Sequence, residues 1–201
     1  MKKTALFVIL FSILTVFVYR ASVFRISKNF AVVEEGQLYR SAQLNEDELT
    51  EIVNKYHIKT VISLRGSPER TYFYEPESET LAKLGVRFEY IGMSDSFYPH
   101  QDEVKKIINI YQNSAGPVLI HCRVGADRTG LAAALYERFI KNKSIDESLD
   151  QLSFRHWHVT ALHPAMTNFI RTAKDLNWVM NDYNVCAPEY AAYRRPEYGC
   201  P

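Results

Sequence analysis

The stretch Pro117-Val118-Leu119-Ile120-His121-Cys122-Arg123-Val124-Gly125-Ala126-Asp127-Arg128-Thr129-Gly130 decides how this chain is read. Its opening apolar run behind a proline has the pattern of a short buried strand. From residue 129 to 141 the chain turns to alanine and leucine at helical spacing. Between the two lies a short loop whose backbone N–H groups can converge on one point, an anion-binding nest at a helix N-terminus. Gly125 permits the tight turn and the close approach of backbone to ligand. A cysteine at the base of such a nest sits in positive potential. Helix N-termini and neighbouring cations bring cysteine pKa values from about 8.5 into the range of roughly 3.5–7.5. Thr129 can donate its hydroxyl to that sulfur, and Arg128 offers a planar fork matched to two oxygens of a phosphate. Arg123, Val124, Gly125, Ala126, Asp127 and Arg128 are therefore the candidate phosphate-binding residues, with Cys122 the candidate nucleophile. A nucleophilic sulfur, a phosphate cradle and a guanidinium within seven residues point to attack on phosphorus.

Working outward, short apolar runs alternate with amphipathic stretches, which predicts an α/β domain with a central, mainly parallel sheet flanked by helices. Strands are expected at residues 30–33, 37–39, 60–64, 87–91 and 117–120. Helices are expected after the capping box at Asn45 to Glu48, at 75–84 before Gly85, at 99–111, at 129–141, after a second capping box at Ser144 to Glu147, and at 164–180. Residues 181–201 are short of aliphatics and hold Tyr183, Tyr190, Tyr193 and Tyr198 with three prolines, a tail expected to wrap the surface. No internal repeat is present.

The whole chain has 201 residues, enough for one domain with a sizeable core and too few for two. Its formal charge is only +1, which argues against a nucleic-acid partner. That value averages two unlike parts. Residues 1–20 carry three of the 24 basic residues and none of the 23 acidic ones, so the remainder is near −2. Three cysteines are too few for a disulfide scaffold.

Residues 1–20 read as a secretory signal or an uncleaved membrane anchor, with 21–29 as a linker, 30–180 as the domain and 181–201 as the tail. Lys2 and Lys3 precede an uncharged run at residues 4–19, closed by Arg20. Cleavage after Ala21 would put Tyr19 at the third position back, and cleavage after Ser22 would put Arg20 there, so the anchor is preferred. Sixteen residues rise about 24 Å against a hydrocarbon core of about 30 Å, a gap that snorkelling of Lys3 and Arg20 can close. Basic residues on both sides leave the orientation open. The expected location is export, with the domain in the periplasm or cell envelope of a bacterium, and a cytoplasm-facing anchor as the alternative.

His121, Cys122, Gly125, Arg128 and Thr129 resemble, without a gap, the signature of cysteine-based protein tyrosine and dual-specificity phosphatases. In those enzymes His-Cys, five residues, Arg and Ser/Thr form the phosphate loop. Glu35 to Gln43 and Lys59 to Arg65 further resemble the opening of compact bacterial, plant and fungal dual-specificity-like members, some of which act on inositol phosphates, the cysteine-based phytases among them. The resemblance covers about residues 30–178. It implies that fold, a phosphocysteine intermediate and no metal or other cofactor. It also implies a general acid on the loop after the strand preceding the phosphate-loop strand. Asp95, within residues 92–100, occupies that place, and Asp102 suits the start of the next helix instead. Asp127, immediately before the arginine, is the alternative acid, resembling the pattern in phosphoinositide-directed myotubularins.

His121 is expected to orient the loop through hydrogen bonds to backbone and sulfur. His156 and His158 flank Trp157 in a cluster that either packs or lines a pocket. Cys186 and Cys200 could bridge and tie down the tail in an oxidising compartment, or remain two unrelated thiols. The expected partner is a phosphorylated substrate, a phosphotyrosine protein or an inositol phosphate, met by a monomer. Arg123 and Asp127 favour the inositol side. A non-catalytic phosphate-binding module predicts loss of Cys122, Arg128 or the acid, and all are present. Arsenate reductases share a cysteine–arginine anion loop but need partner thiols, and here those lie far along the chain.

Overall fold

The computed structural model describes residues 2–65, 72 and 74–200, without the side chains of residues 2–5, 20 and 24–26. Five strands form one sheet: β1 (Ala31–Glu34), β2 (Leu38–Ser41), β3 (Thr60–Ser63), β4 (Arg87–Tyr90) and β5 (Val118–His121). Their order is β1-β2-β5-β3-β4, with β1 antiparallel at one edge and the other pairs parallel. The last strand in sequence is therefore the central one. Residues of β5 alternate between the two faces, as a strand must. Val118 and Ile120 face a large core built with Val104, Ile107 and Ile108 of α4 (Gln101–Asn113), Leu131 and Leu135 of α5 (Asp127–Leu135) and Phe169 of α7 (Pro164–Thr172). Leu119 faces a smaller core with Leu49 and Val53 of α2 (Glu46–Tyr56) and Leu81 of α3 (Tyr74–Lys83). Burial of each such side chain contributes about 1.5–3 kcal/mol. The mainly parallel sheet between helices is the expected architecture.

Strand ends move by one or two residues from expectation because pairing, not apolarity, terminates them. Arg40 and Ser41, polar in sequence, are fully buried in β2 opposite Ile120 and His121 of β5. The expected helix at 129–141 begins earlier, at Asp127, and after Leu135 widens into a π-turn at Tyr136–Ile140. The widening brings the Tyr136 hydroxyl to Glu34 of β1. The expected helix at 164–180 is two pieces. Ala173 N–H closes α7 on Phe169 O at 2.9 Å, and Asp175 Oδ1 accepts Trp178 N–H at 2.8 Å to start a new turn. Arg138 takes the freed Lys174 carbonyl at 2.9 Å.

At the N-terminus α1 (Lys2–Ser27) runs past Arg20, so most of the segment read as a linker is helical, and a turn at Lys28 and Asn29 leads into β1. Residues 6–23 are apolar and long enough to cross a membrane, with mean hydropathy 2.2. The snorkelling proposed for Lys3 and Arg20 lies outside the described side chains. The tail does not simply coat the surface. Tyr183 and Val185 are buried in the large core, two 3₁₀ turns follow at Pro188–Tyr193 and Pro196–Tyr198, and Cys186 and Cys200 are disulfide-bonded.

Candidate active site

The central strand ends at His121, and the chain passes through Cys122 to Ala126 before α5 begins. Open α/β sheets place their clefts here, beyond the carboxyl ends of the strands. Leu64 N–H donates to His121 O at 2.8 Å and Gln43 N–H to Arg123 O at 3.4 Å, so both neighbouring strands fix the base of the loop. Gly125 has φ +73°, and a Cβ there would lie 2.6 Å from Ser41 O and 2.7 Å from Ala42 N. Only glycine fits, for conformation and for space.

Among the described residues three helices begin with reciprocal capping boxes: Asn45 with Glu48 at α2, His100 with Glu103 at α4, and Ser144 with Glu147 at α6 (Ile145–Leu149). The helix α5 is different, because Ala126 at its N-cap offers no side-chain acceptor. Its first amides are thereby left to a ligand. Cys122 is buried, and its Sγ accepts the Gly125 N–H at 3.2 Å. Arg128 donates to Leu64 O at 3.2 Å, which aims its guanidinium across the mouth of the loop. Asp95 stands opposite, with Oδ2 3.7 Å from Arg128 Nη2 and its carboxyl about half exposed. The structure thus brings Cys122, residues 123–128 and Asp95 together. Asp102 lies apart, in the first turn of α4.

Two side chains depart from expectation. His121 does not reach the sulfur. Its ring is buried with Nε2 2.7 Å from Glu77 Oε1 of α3, an approach too bent for a good hydrogen bond. The loop is oriented by its backbone instead. The Thr129 hydroxyl is buried without a hydrogen bond to sulfur, which takes its donor from Gly125.

Asp127 is not a free carboxylate. His158 Nδ1 lies 2.8 Å from its Oδ1, and His163 Nε2 is 3.9 Å from its Oδ2. His163 Nδ1 also donates to the Asp95 backbone carbonyl at 2.9 Å, so one imidazole bridges both acid candidates. His156 packs, buried, with its carbonyl accepting from Asn29.

Sequence reasoning missed the cation under the loop. Arg40 is fully buried, donates to Gly125 O at 2.7 Å, and holds Gln151 through O and Oε1 at 2.9 and 2.7 Å. Burial brings its pKa down to about 10, against the opposing pull of Cys122 and Glu137, so it stays charged at neutral pH. Arg65 is lowered as well, by burial and then by the nearby Arg128 charge, while Gln43 Oε1 accepts from its Nη1 at 2.9 Å. The sequence signal for Arg40 was its place just past the strand expected at 37–39, within the Glu35 to Gln43 stretch of the resemblance. Among the described residues no group of three or more His, Cys, Asp or Glu is placed to hold a metal ion.

A cysteine at the foot of an uncapped helix, with a guanidinium six residues on and a carboxylate across from it, belongs to the class of cysteine–arginine phosphate-loop proteins on a mainly parallel sheet. A family model described as tyrosine phosphatase family matches residues 25–143, more than half of the chain, and this protein belongs to that family. The chain is 31% identical over 107 residues to the inositol diphosphatase DSP1 of Oryza sativa subsp. japonica, a match over 51% of this chain and 46% of that protein. It spans about half the length of that curated relative. Among solved structures, P. aeruginosa TpbA superposes with a TM-score of 0.61 at 23% identity, covering 77% of this chain and 89% of the other. The core catalytic domain of the PP-IP phosphatase SIW14 from S. cerevisiae, in complex with citrate, gives 0.61 at 23%, covering 73% and 85%. These two share the fold.

Proposed function

We propose that this protein hydrolyses phosphomonoesters through a phosphocysteine intermediate. The observation that carries the reading is Cys122 Sγ at the foot of the uncapped helix α5, with Arg128 and Asp95 facing each other across the opening. The Cys122 thiolate attacks phosphorus as the bond to the leaving oxygen breaks. Arg128 and the amides of residues 123–128 hold the equatorial oxygens where charge develops. Asp95 gives its proton to the leaving oxygen, then takes one from the water that hydrolyses the phosphocysteine. Arg40 acts from beneath, by fixing the loop. No step calls on a metal or other cofactor.

A phosphotyrosine or phosphoprotein substrate follows from the family. A second reading, a phosphorylated inositol, is favoured by the rice relative and by Arg65 near the Arg128 charge, with Arg123 in the same loop, which suit a polyanion. The apolar α1 supports membrane attachment of the domain, outside the cytoplasm given the disulfide at Cys186 and Cys200.

The test is phosphate release by the wild type and Cys122→Ser from phosphotyrosine peptide, phosphoserine peptide, phytate and phosphoinositide vesicles side by side. Loss of turnover on every substrate in Cys122→Ser is expected, and retention near the wild-type rate overturns the mechanism. The preferred substrate by kcat/KM decides between the two readings.

A further inference from the structure

We propose that Tyr193, carried by the disulfide-closed tail, is a positioning residue for the loop that bears Asp95. The inference rests on Asp95 being the acid of the reaction proposed above.

Tyr98 lies three residues after Asp95 and is buried. Both of its backbone polar groups are satisfied by the tail. Its N–H donates to Tyr193 O at 2.8 Å, and its carbonyl accepts from the Tyr198 hydroxyl at 2.9 Å. The Tyr98 and Tyr193 rings stack with centroids 4.9 Å apart and planes 7° from parallel. Tyr193 is itself anchored, its hydroxyl accepting from Asn168 of α7 at 2.6 Å. The next residue of the loop is held the same way, with Pro99 O accepting from the Tyr183 hydroxyl at 2.7 Å. The disulfide encloses this contact, since Tyr193 lies between Cys186 and Cys200. Arg194 binds the near end of the ring, donating to Cys186 O and Ala187 O at 3.0 and 3.2 Å.

Around Asp95 itself one restraint is a local turn and the other comes from His163, 68 residues on. Ser94 Oγ accepts from Ser96 and Phe97 N–H, and His163 holds the Asp95 carbonyl. The Ser94 turn fixes a shape but not its distance from the sulfur; His163 holds the loop at Asp95, and the tail holds it at Tyr98 and Pro99. Without the tail, two buried backbone groups of Tyr98 lose their partners and the loop shifts to find others. A displacement near 1 Å at a reacting group costs on the order of a hundredfold.

Protonation of the leaving oxygen matters most when that oxygen is strongly basic, so the readout is leaving-group dependence. The wild type, Tyr193→Ala, Tyr193→Phe, the double variant Cys186→Ser with Cys200→Ser, and Asp95→Asn with and without Tyr193→Ala are compared on phenyl phosphate and p-nitrophenyl phosphate. The buffer is non-reducing and contains chelator. Tyr193→Ala and the disulfide-free variant should lose about tenfold or more in kcat/KM on phenyl phosphate and clearly less on p-nitrophenyl phosphate. Tyr193→Phe, which keeps the stack and the backbone bond, should restore most of the loss. In Asp95→Asn, adding Tyr193→Ala should cost nothing further on phenyl phosphate. Equal losses on both substrates, or losses that multiply with Asp95→Asn, overturn the proposal. Should Tyr193→Ala fail to fold, the disulfide-free protein carries the same comparison. An Asp95→Asn enzyme as fast as wild type on phenyl phosphate refutes the acid assignment itself, a result separable from the others.

Discussion

The ring of His158 joins Asp127 to Thr167, with Nδ1 2.8 Å from Asp127 Oδ1 and Nε2 3.1 Å from Thr167 Oγ1. A carboxylate accepts and a hydroxyl can donate, so the tautomer that fits both partners carries a proton on Nδ1 and accepts from Thr167 at Nε2. One oxygen of Asp127 is thereby committed to a buried imidazole, whereas Asp95 stands half exposed at the mouth of the loop.

The two carboxylates should therefore separate in a kinetic comparison. Asp95→Asn is expected to lower kcat/KM on phenyl phosphate by about a hundredfold or more, and Asp127→Asn by less than about tenfold. His158→Ala should resemble Asp127→Asn in rate and lose about 1–3 kcal/mol in stability, because it removes the short hydrogen bond to Asp127 and leaves the buried Thr167 hydroxyl only Thr160 at 3.4 Å. Steady-state rates and urea denaturation check both. The reverse order of the two aspartates would transfer the acid role to Asp127.

Gly125→Ala should abolish turnover and cost about 2 kcal/mol or more. The added Cβ meets backbone atoms of Ser41 and Ala42, which cannot rotate aside, at a φ of +73°. Thermal denaturation and loss of orthovanadate binding would register the two effects separately. A variant as stable and active as wild type would show that β2 and the loop part easily.

Arg40→Met should destabilise by about 3 kcal/mol, since it strands the buried Gly125 and Gln151 carbonyls. It should also weaken competitive inhibition by inorganic phosphate, because a buried positive charge near Cys122 is removed. Arg40→Lys would keep charge and lose the fork, and is expected to recover little stability.

Glu103 supplies a pH dependence. Burial raises its pKa from 4.5 to about 7, against the lowering effect of the His100 N–H and of Arg195. The folded state then holds more protons than the unfolded state between about pH 4.5 and 7, so stability falls as pH rises through that window. The contribution is at most about 3 kcal/mol. Chemical denaturation at pH 5 and pH 7.5 should show Glu103→Gln flatter than wild type, and identical slopes would refute it.

Much of the site was readable before any coordinates. Cys122, Gly125 and Arg128 declare themselves because their chemistry depends on spacing along one loop, and loop spacing is a local property. Asp95 was placed through the family resemblance, which puts the acid on the loop after the strand preceding the phosphate-loop strand. The capping boxes at Asn45 and Ser144 were equally local. His121 and Thr129 were assigned to the sulfur because they adjoin it in sequence, yet α3 brings Glu77 to the histidine and the Gly125 amide takes the sulfur.

What the chain declares by itself is the nucleophile, the cradle and the alternating pattern that makes an α/β sheet, all set by neighbours within about ten residues. Packing between distant segments decided the rest. Arg40 lies 85 residues from the Gly125 carbonyl it holds, and Tyr98 lies 95 residues before the Tyr193 carbonyl that fixes it. Burial and partner choice at such separations follow from how β2, α7 and the tail stack on the finished sheet. No short stretch of sequence encodes that stacking, because it exists only when all the layers are present.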